Sequence, residues 1–143
     1  MFLGEYQHSL DAKGRVILPV KFRALLAAGC VLTPGQDHCL YVYPRERWEE
    51  VSERLIQSRI SSSKARAFTR FWFSGSAEEE PDKQGRVHIP DNLRSYASLD
   101  REVAVLGVGQ RIEIWDRERW AAKKTEGQAE YADLGESDPD LPI

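Results

Sequence analysis

The sequence predicts a mainly β fold with flanking helices, built from two like halves about a pseudo-twofold axis, with a helical hairpin between them. An internal duplication carries most of this prediction. Asp11–Pro19 (DAKGRVILP) aligns with Asp82–Pro90 (DKQGRVHIP), with five of nine positions identical at an offset of 71. Leu40–Trp48 (LYVYPRERW) aligns with Ile112–Trp120 (IEIWDRERW), with four of nine identical at an offset of 72. Two matches in the same order at nearly the same spacing indicate one structural unit present twice. The second observation is that short apolar runs alternate with turn residues, which is the pattern of strands.

The first unit spans roughly residues 1–50. Phe2 to Leu10 reads as a strand, and Asp11-Ala12-Lys13-Gly14 as a turn. Asp hydrogen-bonds its own backbone in such turns, and Gly supplies a positive φ. Arg15–Leu18 is a second short strand. Pro19 then suits the start of a helix, where a missing N–H costs nothing. Phe22, Leu25 and Leu26 give that helix an apolar face, and Gly29 ends it. Val31–Thr33 and Leu40–Tyr43 read as strands around a turn at Pro34-Gly35. Residues 51–72 form the connecting helices, with Trp48, Val51, Leu55 and Ile56 on one face. Ser61 to Ser63 offer a cap before a stripe of Phe68, Phe71 and Trp72. The second unit, 73–122, repeats the order: a strand before Pro81, a turn at Asp82–Gly85, a strand at Arg86–Ile89, a short helix with Leu93 and Tyr96, and strands near Val103–Leu106 and Arg111–Trp115. Each unit is too short to bury a good core alone, so the two are expected to pack on each other.

Residues 123–143 read as an acidic, flexible tail. The chain of 143 residues has a net charge of −3. Six acids and no Lys or Arg follow Thr125, so residues 1–125 hold 20 basic against 17 acidic residues, a net of +3. A modest positive balance indicates nucleic acid only where it gathers into a patch. No stretch approaches the roughly 18 apolar residues of a membrane span, and Met1–Glu5 lacks the form of a secretory signal. Cys30 and Cys39 fit neither a disulfide scaffold nor a zinc pattern and read as small apolar residues of a reduced, cytoplasmic protein.

The repeated Asp-x-x-Gly-Arg-Val-x-x-Pro places Arg15 and Arg86 at equivalent positions beside turns, with Lys13 and Lys83 nearby. A solvated hairpin turn would carry the same residues. The duplication favours a Lys/Arg cluster on a twofold frame, suited to phosphate contact and groove entry. Arg also binds guanine through O6 and N7. These two motifs, with Met1-Phe2-Leu3-Gly4 at the start and Glu113-Ile114-Trp115 near the end, resemble the MraZ family over residues 1 to about 122. The resemblance implies two AbrB/SpoVT-type swapped-hairpin halves forming one β-barrel per chain, and chains assembled into rings. It implies a nucleoid-associated transcriptional regulator that binds double-stranded DNA at repeated short promoter elements upstream of the division and cell-wall gene cluster. It also implies that Arg15 and Arg86 contact the DNA. The second copy has Lys83-Gln84 where the first has Ala12-Lys13, so the equivalence of Lys13 and Lys83 stays open.

The competing reading is a ring-forming structural protein that does not read DNA sequence. Enzymatic chemistry is not expected, because no nucleophile–base pair or catalytic constellation is visible. No metal, cofactor or small-molecule substrate is expected either. His8, His38 and His88 form no ligand pair, and Gly107-Val108-Gly109 lacks the third glycine and the helix of a dinucleotide loop. Trp48, Trp72, Trp115 and Trp120 are expected in the core or in a subunit interface. Phe68, Phe71 and Trp72 together exceed what a small barrel covers, which suggests that some face a neighbouring chain.

Overall fold

A computed structural model describes residues 1–58 and 62–134. The first half contains β1 (Phe2–Ser9), β2 (Arg15–Ile17), α1 (Val20–Arg23) running into a 3-10 turn at Ala24–Leu26, β3 (Cys30–Pro34) and β4 (Leu40–Pro44). Two longer helices follow, α2 (Arg45–Gln57) and α3 (Ser63–Gly75). The second half contains β5 (Ala77–Glu79), β6 (Arg86–His88), α4 (Asp91–Tyr96), β7 (Glu102–Gly109), β8 (Arg111–Asp116) and α5 (Arg117–Ala132).

The halves exchange strands. Six strands form one antiparallel sheet in the order β1-β7-β8-β4-β3-β5, and β2 pairs with β6 in a separate ribbon. Thus β1 of the first half pairs with β7 of the second along its whole length, from Phe2 opposite Gly109 to Ser9 opposite Glu102. Reciprocally, β5 of the second half pairs with β3 of the first. The pseudo-twofold passes near Val16 opposite Val87 in the ribbon and Tyr41 opposite Glu113 in the sheet. The expected closed barrel is not formed. β1 and β5 are the two open edges of the sheet. The ribbon closes on itself instead: Leu18 N–H donates to Gly85 O and Ile89 N–H to Gly14 O, both at 2.9 Å. Those backbone donors are then not available to join the sheet edges.

Three layers result. One face of the sheet packs against the ribbon and the short helices through Phe2, Val16, Leu18, Phe22, Leu26, Leu32, Val87, Ile89, Leu93 and Ile114. Val16 and Val87 are fully buried at its centre, and burying each side chain contributes about 1.5–3 kcal/mol. The other face carries Tyr41, Tyr43, Leu106 and Trp115, covered by Trp72 and flanked by Trp48, Val51, Leu55, Phe73 and Trp120 from the helices. Trp72 and Trp115 are therefore core residues, and Trp48 and Trp120 are partly buried. Phe68 and Phe71 remain 43% and 51% exposed.

Two boundaries differ from the sequence reading. α2 begins at Arg45, inside the segment assigned to the first unit, because Pro44 ends β4 and starts the helix. α5 continues to Ala132, into the segment expected to be a flexible tail. Asp116 caps it by accepting from the Arg119 amide at 3.1 Å. Glu5 on β1 then holds it, accepting from Trp120 Nε1 at 2.9 Å and pairing with Lys124 Nζ at 3.0 Å. Those contacts stabilise a helix that composition alone reads as a solvated run. Ser62, within the predicted Ser cap, caps α3 by accepting from the Ala65 amide at 3.1 Å; Ser61 lies outside the described residues, as do Glu136, Asp138 and Asp140 of the tail.

Candidate nucleic-acid interface

Both Asp-x-x-Gly-Arg turns have one geometry. In the first, Asp11 Oδ1 accepts from the amides of Lys13 and Arg15, each at 2.9 Å, and Gly14 N–H donates to Asp11 O at 3.0 Å. In the second, Asp82 Oδ1 accepts from Gln84 and Arg86 at 2.9 Å, and Gly85 N–H donates to Asp82 O at 2.9 Å. Gly14 and Gly85 sit at φ of +75° and +78°, the left-handed region that closes such a turn without a Cβ clash. The structural counterpart of Lys13 is Gln84, while Lys83 occupies the place of Ala12. Lys13 and Lys83 are both exposed but not equivalent.

Each aspartate also fixes its arginine. Arg15 Nε donates to Asp11 Oδ2 and Arg86 Nε to Asp82 Oδ2, both at 2.7 Å. Among the described residues the terminal guanidinium nitrogens have no partner, so each arginine is held by one edge and presents the other. The carboxyls of Asp11 and Asp82 are held below the ordinary aspartate range, first by the backbone amide of Arg15 or Arg86 and also by its guanidinium. They stay ionised, and the arginine stays pinned.

The ribbon sets both arginines on one surface. Val16 and Val87 point into the core, so their strand neighbours point out. Arg15 faces His88 across the ribbon, and Ile17 faces Arg86. Arg15 and Arg86 are thus diagonal neighbours, about 7–8 Å apart at the backbone in such a register. The His88 side chain is 46% exposed, with Nδ1 3.7 Å from Glu79 Oε1.

Two further arginines were not singled out from sequence. Arg94 of the second half lies against Gly14 of the first, where a Cβ would meet its guanidinium; Arg23 of the first half lies against Gly85 of the second in the same way. Arg23 Nε donates to Leu18 O at 3.0 Å, and Arg94 pairs with Asp91. The signal was present, since Arg23 and Arg94 are identical residues at the same offset of 71. Each turn is therefore built by its own aspartate, with an arginine from the other half lying against its glycine.

Other chemistry is sparse. Among the described residues no group of three or more His, Cys, Asp or Glu is placed to hold a metal ion. Among them, too, no helix is long and apolar enough to cross a membrane. Cys30 and Cys39 are free and buried, and burial pushes the Cys30 thiol up to about 12.

Comparison with known proteins finds similarity along the whole chain. A family model described as the MraZ protein matches twice, over residues 1–71 and 72–134. A protein of Desulforamulus reducens named transcriptional regulator MraZ is 47% identical over 141 residues, covering 99% of both chains. Proteins of the same name from Halothermothrix orenii and Moorella thermoacetica are 46% and 48% identical over 143 residues, covering 100% of both chains in each case.

Proposed function

The chain belongs to the MraZ family, and from that premise we propose that it is a DNA-binding transcriptional regulator whose paired turns contact duplex DNA. The observation that carries this is the pair of guanidiniums on one ribbon face, each pinned through Nε and, among the described residues, free at its terminal nitrogens. A guanidinium held in that way offers two parallel N–H donors, which match the O6 and N7 acceptors of guanine or two phosphate oxygens. Lys13 and Lys83 flank the same turns and supply phosphate contacts that position the protein without reading sequence.

The finer reading follows the same lines. The protein acts in the cytoplasm on the nucleoid, at repeated short promoter elements upstream of the division and cell-wall gene cluster. Its two halves are AbrB-like swapped-hairpin units, a reading supported by the strand exchange between them. Several chains assemble into a closed ring. The apolar cleft of Pro34, Tyr41, Phe68, Phe71, Trp72 and Tyr96 supports such a contact between chains, because a repeated head-to-tail contact closes when its rotation permits. A ring presents many turns at fixed spacing, so weak single contacts combine into tight binding.

Binding titrations on DNA from upstream of the gene cluster test this, using fragments with one, two or three repeats against scrambled DNA at matched salt. Affinity should climb steeply with repeat number and fall with salt as phosphate contacts are screened. Arg15→Ala and Arg86→Ala should each weaken specific binding by about 5- to 150-fold, the equivalent of 1–3 kcal/mol for a lost base contact. A folded Arg15→Ala, Arg86→Ala double variant with normal affinity would refute the assignment. A ring with no preference for promoter over scrambled DNA would favour a structural role.

A further inference from the structure

The outer face of the β2–β6 ribbon is nearly, but not fully, symmetric. It carries four side chains: Arg15 and Ile17 from β2, and Arg86 and His88 from β6. Arg15 and Arg86 are equivalents at the offset of 71, and so are Ile17 and His88. The arginines match, in identity and in their pinning at 2.7 Å by Asp11 and Asp82. The other two corners do not: one is an aliphatic side chain, the other an imidazole. Both are open to solvent, Ile17 at 44% exposure and the His88 side chain at 46%. Neither is needed for the core, which the ribbon serves through Val16 and Val87.

An isoleucine 44% exposed beside two cations gains little in the isolated chain, since its apolar surface stays in water. Against a base edge it has a use, because aliphatic groups contact the thymine methyl in the major groove. His88 offers different chemistry. Glu79 Oε1 stands 3.7 Å from Nδ1, and among the described residues Nε2 has no partner. An imidazole N–H donates to guanine N7 or O6, which isoleucine cannot do.

We propose that Ile17 and His88 are specificity-determining residues that break the pseudo-twofold of the ribbon, so that each chain reads a non-palindromic element, with a thymine at the Ile17 corner and a guanine at the His88 corner. This rests on the DNA-binding reading above. The arginines supply what is common to both halves of the element, and the unlike corners supply its direction.

Selection from a pool of random duplex DNA tests this with the full chain, as wild type, Ile17→His and His88→Ile. Wild type should recover an asymmetric element. Ile17→His, with histidine at both corners, should recover an element symmetric about its centre. His88→Ile should lose about fivefold of the preference for guanine at one position, the equivalent of a single-donor contact near the lower bound for base discrimination. Base preference at each position is the readout, and a purely structural role for these exposed residues would not move it. If all three folded proteins recover the same element with the same preferences, the inference is wrong although DNA binding stands. If wild type recovers no more DNA than the Arg15→Ala, Arg86→Ala variant, the DNA-binding reading itself falls, and this inference with it.

Discussion

Replacing Gly14 or Gly85 with alanine separates two effects that meet at the turns. Both glycines lie in the left-handed region, at φ of +75° and +78°. A Cβ there is strained whatever space surrounds it, at a cost of about 1–2 kcal/mol per residue. The new methyl would also meet the Arg94 guanidinium at Gly14 and the Arg23 guanidinium at Gly85. At Gly14 that is the far end of a flexible side chain and swings aside cheaply, so backbone strain dominates; at Gly85 the methyl also meets Arg23 Cδ and the Nε that donates to Leu18 O, which places Gly85→Ala toward the upper end of the range. At about 3–5 °C per kcal/mol for a chain of this length, each substitution should lower the melting temperature by about 3–10 °C. The double variant should lose less than the sum. The two turns share hydrogen bonds, Leu18 N–H to Gly85 O and Ile89 N–H to Gly14 O, and linked sites are not additive. Thermal unfolding followed by circular dichroism at fixed protein concentration measures this. Gly14→Asn should cost less than Gly14→Ala, because asparagine tolerates the left-handed region. Adding Arg94→Ala to Gly14→Ala should recover little. A Gly14→Ala variant that melts within about a degree of wild type, or one that Arg94→Ala restores fully, would show that strain is not the cause.

Three other outcomes are expected. Cys30 and Cys39 should not react with a thiol reagent at pH 8 in the folded protein and should both react on unfolding, since burial raises both thiols, Cys30 to about 12; rapid labelling of the native chain would contradict their burial. Asp11 and Asp82 are held below the usual aspartate value by the amides and guanidiniums of Arg15 and Arg86. Their contribution to stability is therefore complete above the unfolded value, near pH 4, and is lost as pH falls through the lower folded value. Acid titration of the melting temperature should show a steeper fall below pH 4 in wild type than in Asp11→Asn, Asp82→Asn, and parallel curves would count against the pinning. Phe71→Ser, at a site 51% exposed, should barely change the melting temperature but should lower the mass measured by light scattering; an unchanged mass would remove this cleft from the interface between chains.

The local features were legible from sequence because their causes are local. An aspartate four residues before an arginine, with a glycine between, encodes the turn through side-chain-to-backbone bonds that span no more than five residues. Pro19 and Pro90 marked the helix starts that follow. The long-range features were not legible. Periodicity fixes which face of a strand is apolar, not which strand it pairs with, so an exchange between halves was implied only by the family resemblance, and the open sheet went unread. Arg23 and Arg94 act across the halves and carry no local pattern. The outward face of the ribbon needed the register of Arg15 with His88 before Ile17 and His88 could be seen beside the arginines. α5 was obscured for another reason. Its acids and Gly127 suggested a solvated tail, yet its first four residues, Arg117 to Trp120, repeat Arg45 to Trp48, which open α2. The duplication carried the helical signal, and the charge composition outweighed it.

The division of labour at each turn bears on how tightly the protein can bind. An unrestrained arginine carries about 2 kcal/mol of side-chain rotamer entropy, part of which is lost on contact. Here Asp11 and Asp82 hold Nε before any ligand arrives, so some of that ordering is complete in the free protein, which is the general route by which preorganisation raises affinity. The pin alone would not suffice if the turn itself moved. It is fixed from the opposite half by the hydrogen bonds that cross the ribbon, Leu18 N–H to Gly85 O and Ile89 N–H to Gly14 O. Part of what holds each arginine in place therefore comes from the other half. That interdependence gives a physical reason for joining both copies in one chain: covalent linkage makes the pairing independent of concentration, and once the halves need not be identical, the corners of the ribbon are free to differ.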